Sequence, residues 1–346
     1  MSKIVFVIDD SISNLTMAED ALSASYSVMT IPSGAKAVSL LEKVRPEIIL
    51  LDIEMPAMDG FDVLRYLKAS DRFCDIPVIF LTAKIDHATE IEALKLGVVD
   101  FISKPFNPAV LLNRVKHHID VSSLVRERTK ELYSVRHDII FVLADMVENR
   151  DESTGDHLGR TSRLVNMLLM KMLESKVYHD EINTWDFEVM AECSLLHDVG
   201  KISTPDAILK KPGKLTVEEF EIMKEHTVAG RRILDKVIAR SGENIFLRNA
   251  KLFAISHHER WNGTGYPFGL RGQEIPLHGR IMAIVDVFDA LMSKRVYKNA
   301  YLAEHSLEII VKERGEHFDP QIVDVFVSIW DRIAASYAEG DGMAHG

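Results

Sequence analysis

Side chains able to ligate metal recur through the second half of this 346-residue chain. His197 and Asp198 stand side by side after the apolar pair Leu195-Leu196, offering an imidazole nitrogen and a carboxylate oxygen from neighbouring positions. That pairing suits a first-row metal of intermediate softness such as Fe or Mn. His157 lies upstream, while His226, the doublet His257-His258 and Asp286 lie downstream. Together they are ligands enough for two ions. Two ions about 3.5–4 Å apart can activate water, neutralise a phosphoryl group and stabilise a departing alkoxide, the chemistry of phosphodiester hydrolysis. Lys201 follows His197 by one helical turn, which puts it on the same side of a helix. There it would act as a cation for the scissile phosphate, with a second role as acid for the leaving oxygen left open.

The order H…HD…D resembles the HD superfamily of metal-dependent phosphohydrolases. His257-His258-Glu259-Arg260-Trp261-Asn262-Gly263-Thr264-Gly265-Tyr266-Pro267 is similar to the signature of its HD-GYP subfamily, and Pro212-Gly213-Lys214-Leu215, Ile275-Pro276-Leu277 and Asp286-Val287-Phe288-Asp289-Ala290-Leu291 extend the match. The resemblance implies an all-α domain over residues 149–337 that hydrolyses cyclic di-GMP to pGpG, GMP, or one after the other. It implies that His157, His197, Asp198 and Asp286 form the HD set, that His226, His257 and His258 complete a second site, and that Asp198 bridges the two. Arg295 and Lys298 would grip substrate phosphate. Tyr266 would either stack on guanine or pack the signature loop. Some members hold a third ion on a glutamate four residues before the first histidine. Ser153 stands at that place, and Glu152 and Asp156 are rotated away on a helix, so a binuclear centre is expected. The contrasting expectation is a catalytically weak domain that signals by contact with other proteins.

A second constellation lies near the N-terminus. Ile4–Ile8, Ser27–Ile31, Ile48–Leu51, Pro77–Leu81 and Val98–Ile102 read as short strands separated by helices. Continuous apolar strands alternating with helices imply a doubly wound parallel sheet covered on both faces. Ligands of such sheets sit beyond the carboxyl ends of the strands, where Asp9, Asp10, Asp52, Thr82 and Lys104 fall. Clustered carboxylates with a lysine and a hydroxyl suit Mg²⁺ and a phosphoryl group. With Met55-Pro56-x-x-Asp59-Gly60, the pattern resembles the receiver domain of response regulators, a flavodoxin-like five-stranded fold. The resemblance implies that Asp52 accepts phosphate from a sensor histidine kinase. Asp9 and Asp10 would hold Mg²⁺ with it, Thr82 and Phe101 would switch, and Lys104 would contact the phosphoryl group. A cis peptide is expected at Lys104-Pro105.

The receiver is expected over residues 1–120. From Pro108 the pattern is helical past Met146, with an apolar seam at Leu111, Val115, Val125, Leu132, Ile139, Leu143 and Met146. Residues 121–148 therefore read as a linker helix that pairs in a homodimer, and residues 338–346 as a disordered tail. Asp319-Pro320 reads as a helix cap followed by proline at the first helical position. The formal charge of −11 argues against DNA as a partner. No apolar run approaches the roughly 20 residues of a membrane span, and Cys74 and Cys193 lie far apart, so a reducing cytoplasm is expected. Cys193 reads as a buried core thiol.

Overall fold

The computed structural model describes residues 3–70, 72–83, 87–151, 157–293 and 301–340. They form two compact units, Met1–Tyr133 and Ser134–Gly346.

In the first unit, β1 (Ile4–Ile8), β2 (Ser27–Ile31), β3 (Ile48–Asp52), β4 (Val78–Thr82) and β5 (Asp100–Ser103) make one sheet. The order is β2-β1-β3-β4-β5 and every pairing is parallel. Central strands β3 and β4 are buried at every residue, as continuous Ile-Ile-Leu-Leu and Val-Ile-Phe-Leu runs require when both faces are covered. The helices are α1 (Ile12–Leu22), α2 (Gly34–Leu41), α3 (Gly60–Lys68), α4 (His87–Lys95) and the start of α5 (Pro108–Glu148). Helix α3 opens on a capping box in which Asp59 and Asp62 each accept the other's backbone N–H.

Helix α5 runs unbroken for 41 residues, and the division between the units falls inside it. Leu111 and Val115 are buried in the core of the first unit. Farther along, Val125, Leu132, Ile139, Leu143 and Met146 are exposed.

Among its described residues the second unit has no extended strand. Its helices are α6 (His157–Glu174), α7 (His179–Ile182), α8 (Phe187–Ser194), α9 (Asp206–Leu209), α10 (Val217–Ser241), α11 (Ile245–Ser256), α12 (Leu277–Ser293), α13 (Tyr301–Lys312), α14 (Pro320–Ser328) and α15 (Trp330–Gly340). Helix α12 is apolar on all sides from Ile281 to Val285 and lies at the centre of the core with Phe253, Phe288 and Phe326. Truncating such a phenylalanine to alanine costs about 3–5 kcal/mol. Asp319 caps α14 by accepting the Gln321 N–H, with Pro320 at the first helical position. Cys193 is fully buried. Helix α15 continues to Gly340, past Ala338, where the sequence suggests a disordered tail. Ala338 and Glu339 are good helix formers and extend the last turn. No helix among the described residues is long and apolar enough to cross a membrane.

His278 lies in this core, 5% exposed. Its ring packs on Trp185, its edge meets Phe253, and Nε2 lies 3.1 Å from Asn249 Oδ1. Burial, helped by Arg280 and Arg248, pushes its pKa down to about 4 from 6.5. Its contribution to stability is therefore complete above pH 6.5, where neither state is protonated. It is lost as pH falls toward 4, because the unfolded chain takes up a proton that the fold refuses; the loss approaches roughly 3 kcal/mol. All three tryptophans lie in the second unit, so their fluorescence follows its unfolding. In chelator, the urea midpoint of His278→Gln should fall less steeply than that of the wild type between pH 6.5 and 4. Parallel curves would remove His278 as the cause.

Candidate metal centre and phosphoacceptor site

Helix α8 is capped by Asp186 and ends at Ser194. The chain then tightens into i→i+3 turns, with His197 N–H on Ser194 O (3.1 Å) and Val199 N–H on Leu196 O (3.2 Å), and a 3₁₀ helix over Val199–Ser203. Lys201 is thus not on an α-helix with His197. With three residues per turn it stands over Asp198 instead, its Nζ 2.8 Å from Asp198 Oδ2. The tight segment crosses α10 at Gly200. A β-carbon there would lie 1.8 Å from the His226 carbonyl oxygen and 2.4 Å from Gly230 N. Only glycine allows this approach, which brings the His-Asp pair against His226.

Two sets of ligand atoms result, each within 4.8 Å of one another: His157, His197 and Asp286, then Asp198, His226, His257 and His258. His157 is the first residue of α6, His226 lies on α10, His257 and His258 directly follow α11, and Asp286 lies on α12. Asp198 reaches both sets. Its Oδ2 is 3.4 Å from His197 Nε2, and its Oδ1 is 3.2 Å from His226 Nε2 and 3.5 Å from His257 Nε2.

The imidazoles are oriented by groups that only accept hydrogen bonds. His197 Nδ1 lies 2.8 Å from Ser194 O, His226 Nδ1 2.7 Å from Met223 O, and His257 Nδ1 3.1 Å from Phe253 O. His157 Nδ1 lies 2.7 Å from the Asp289 carboxylate. Each Nδ1 therefore donates, which leaves each Nε2 turned to the centre as the atom able to ligate. Asp289 is itself held by Arg160 (2.7 and 2.9 Å) and the Tyr337 hydroxyl (2.8 Å).

This donor set fits divalent cations. His197 Nε2 and Asp198 Oδ1 are buried with no aligned hydrogen-bond partner, a costly arrangement unless a cation accepts both lone pairs. Burial opposes charge on Asp198, yet Lys201 and His197 hold its carboxyl well below the usual range. Burial likewise opposes charge on His197, but Asp198, Asp286 and Glu148 push its pKa up to about 9. The carboxylates demand positive charge at this point. Burial and neighbouring imidazoles depress His257 and His258, which favours the neutral, ligating form.

Glu148, the last residue of α5, is buried with Oε1 3.5 Å from Lys201 Nζ. Two residues on, Arg150 donates to the carbonyl oxygens of Lys201, Ile202 and Thr204 at 2.9–3.1 Å and to the Asp206 carboxylate at 2.6 Å. These two residues grip the segment that carries Lys201, and motif reading missed both. Asp289 and Arg160 left a fainter trace, each three residues past a ligand.

The signature loop is organised by Glu259, buried and accepting the N–H groups of Phe268 (2.8 Å) and Leu270 (2.9 Å). Gly265 passes against it so closely that a β-carbon would lie 2.5 Å from Glu259 Cα. Tyr266, followed by a cis peptide to Pro267, is half-buried with its ring 4.7 Å from that of His258. Burial, then the Asp198 and Asp286 carboxylates, hold its phenol well above the usual range, so it remains a donor. Arg295 and Lys298 lie outside the described residues, as do Glu152, Ser153 and Asp156, on which the number of ions turns.

In the first unit, Asp9, Asp10 and Asp52 have oxygens within 4.8 Å of one another at the carboxyl ends of β1 and β3. Lys104 Nζ lies 2.7 Å from Asp9 and 2.6 Å from Asp52. Burial raises the Asp52 carboxyl above its ordinary value against the pull of Lys104. Thr82 ends β4, and Phe101 on β5 has its ring 6.2 Å from Phe80. The Lys104-Pro105 peptide is cis.

The HD domain family matches residues 142–322, and the response regulator receiver domain family matches residues 5–116. A Vibrio cholerae protein named probable cyclic di-GMP phosphodiesterase is 37% identical over 93% of this chain and 77% of its own length. The cyclic di-GMP phosphodiesterase response regulator RpfG of Xanthomonas campestris is 33% identical over 93% of this chain and 86% of its own. A 3'3'-cGAMP-specific phosphodiesterase 2 of Vibrio cholerae is 38% identical over 61% of this chain and 37% of its own. With its two ligand sets behind one carboxylate and its acidic strand ends behind one lysine, the chain belongs to the family of response regulators that join a receiver domain to an HD domain.

Proposed function

We propose that the second unit is a cyclic di-GMP phosphodiesterase with a binuclear centre, releasing pGpG, GMP or both in turn. The observation that carries this reading is the Asp198 carboxylate, with oxygens facing both ligand sets. His157, His197 and Asp286 would hold one ion, His226, His257 and His258 the other, and Asp198 both; imidazole and carboxylate donors favour Fe or Mn. Bound, the pair supplies an activated water at neutral pH and neutralises phosphoryl charge. Lys201, held between Asp198 and Glu148, places its ammonium at the scissile phosphate and donates a proton to the leaving oxygen. The Tyr266 phenol donates into the same space, and Arg295 and Lys298 take substrate phosphate. Two relatives that span most of the chain carry the name cyclic di-GMP phosphodiesterase, which supports the guanine dinucleotide as substrate. Chromatography of products from Mn²⁺- or Fe²⁺-loaded protein, with 3'3'-cGAMP as competitor, tests the choice.

The first unit is read as the control element. Asp52 accepts phosphate from a sensor histidine kinase in the cytoplasm, Asp9 and Asp10 hold Mg²⁺ with it, and Lys104, Thr82 and Phe101 read the phosphoryl group. The exposed apolar residues of α5 from Val125 to Met146 suit pairing with a second copy of the chain.

Two outcomes follow. Asp198→Ala leaves both ligand sets without their shared carboxylate, so bound metal and turnover should drop together. The fall in turnover should exceed the roughly 10–100-fold typical of losing an outer partner. Full metal content with undiminished turnover would move the site elsewhere. Asp52→Asn should abolish base-labile, acid-stable labelling by a small phosphodonor with Mg²⁺, and persistent label would identify another acceptor.

A further inference from the structure

Helix α10 carries His226 into the centre, but its first two turns lie outside it. That end is firmly built. Thr216 and Glu219 form a capping box, and Lys211 Nζ lies 2.6 and 2.8 Å from the two Glu219 oxygens. The turn so fixed presents Phe220, a residue 45% exposed. Singly exposed apolar residues are ordinary; the setting of this one is not.

Phe220 meets Tyr266 edge to face, ring centres 6.1 Å apart and planes at 84°. Tyr266 in turn lies against the metal-set ligand His258, 4.7 Å away and tilted by 33°. An aromatic wall thus runs from the centre to solvent. At its corner stands Lys224, with Nζ 5.2 Å from the Phe220 ring centre and 5.7 Å from that of Tyr266. The ammonium is kept there by Glu221 at 2.6 Å. From His226 to Phe220 is six residues, about 9 Å along the helix, the reach of a sugar and base from a phosphate at the metals.

We propose that Phe220, Tyr266 and Lys224 form a subsite for one guanine base of the substrate. The inference rests on the phosphodiesterase reading and adds to it the residues that choose the base. Tyr266 has one face against His258 and serves as buttress, while Phe220 supplies the open stacking surface. Lys224 supplies the discrimination. An ammonium only donates, and guanine presents O6 and N7 as two acceptors on one edge, where adenine places an amino donor beside N7.

The test compares binding of GMP, AMP and ribose 5-phosphate to the metal-loaded full chain by equilibrium dialysis, for the wild type, Phe220→Ala, Phe220→Trp and Lys224→Met. Turnover of cyclic di-GMP is followed in parallel. The wild type should hold GMP more tightly than ribose 5-phosphate by about 5–100-fold, the worth of one stacked base. Phe220→Ala should erase that margin and Phe220→Trp restore it. Lys224→Met should keep the stacking margin but lose the preference of GMP over AMP. Binding of ribose 5-phosphate, which has neither a base nor an aromatic ring, should be unchanged in all variants. A GMP margin that survives Phe220→Ala, or one absent from the wild type, overturns the subsite. So does an equal loss on ribose 5-phosphate, which would mark a packing role. Failure of the wild type to cleave cyclic di-GMP would instead sink the phosphodiesterase reading, with the nucleotide comparison still judging the subsite.

Discussion

The second unit depends on one buried charge. Asp198 is placed where burial alone would discharge it, yet an ammonium at 2.8 Å and several imidazoles keep it ionised. A carboxylate in so dry a place is tolerable only when surrounded by positive groups with good geometry. The ligand shell can be understood as the answer to that demand. Five helices or helix ends converge on it, and each brings an imidazole nitrogen, an ammonium or a further carboxylate that a cation would tie in.

Convergence of that kind is limited by how closely backbones can approach. The 3₁₀ segment after Asp198 lies on α10 with no room for a side chain between them, so the ligand pair and His226 share one rigid joint. The imidazoles add no slack of their own, because main-chain carbonyls or Asp289 hold their Nδ1 atoms. In the first unit a similar approach recurs, where a β-carbon on Gly60 would lie 2.4 Å from the Asp52 carbonyl oxygen. In both places the site is stiff because the main chain is close.

Much of this was legible from residue types. The strand ends of the sheet follow from runs of apolar residues that stop at Asp9, Asp52 and Thr82, since strand period and burial leave little choice of where such runs end. The residues of the two candidate ligand sets could also be picked out, by their order in the chain and by the resemblance of the run from His257 to Pro267 to a known signature. What local pattern could not show is geometry made by tertiary approach. The 3₁₀ tightening at Val199–Ser203 moved Lys201 from the side of His197 to that of Asp198. Glu148 and Arg150 acquire their partners only because α5 ends beside residues some fifty positions later. Tyr266 had two readings in the sequence, and only its contact with His258 shows how much of its ring is already in use.

The grip of α5 on the lysine segment bears on how the second unit could be excised. Ile140, Ala144 and Val147 are buried, the first two within the core of the second unit, and Arg136 pairs with the buried Glu192 and lies over Phe246. A fragment begun at Asn149, where α5 stops, would expose those apolar partners to water and strip Lys201 of the Glu148 carboxylate. A fragment begun near Ser134 keeps both. The last turns of α5 are thus part of the second unit's interior, and a cut meant to isolate its chemistry has to be made within the helix.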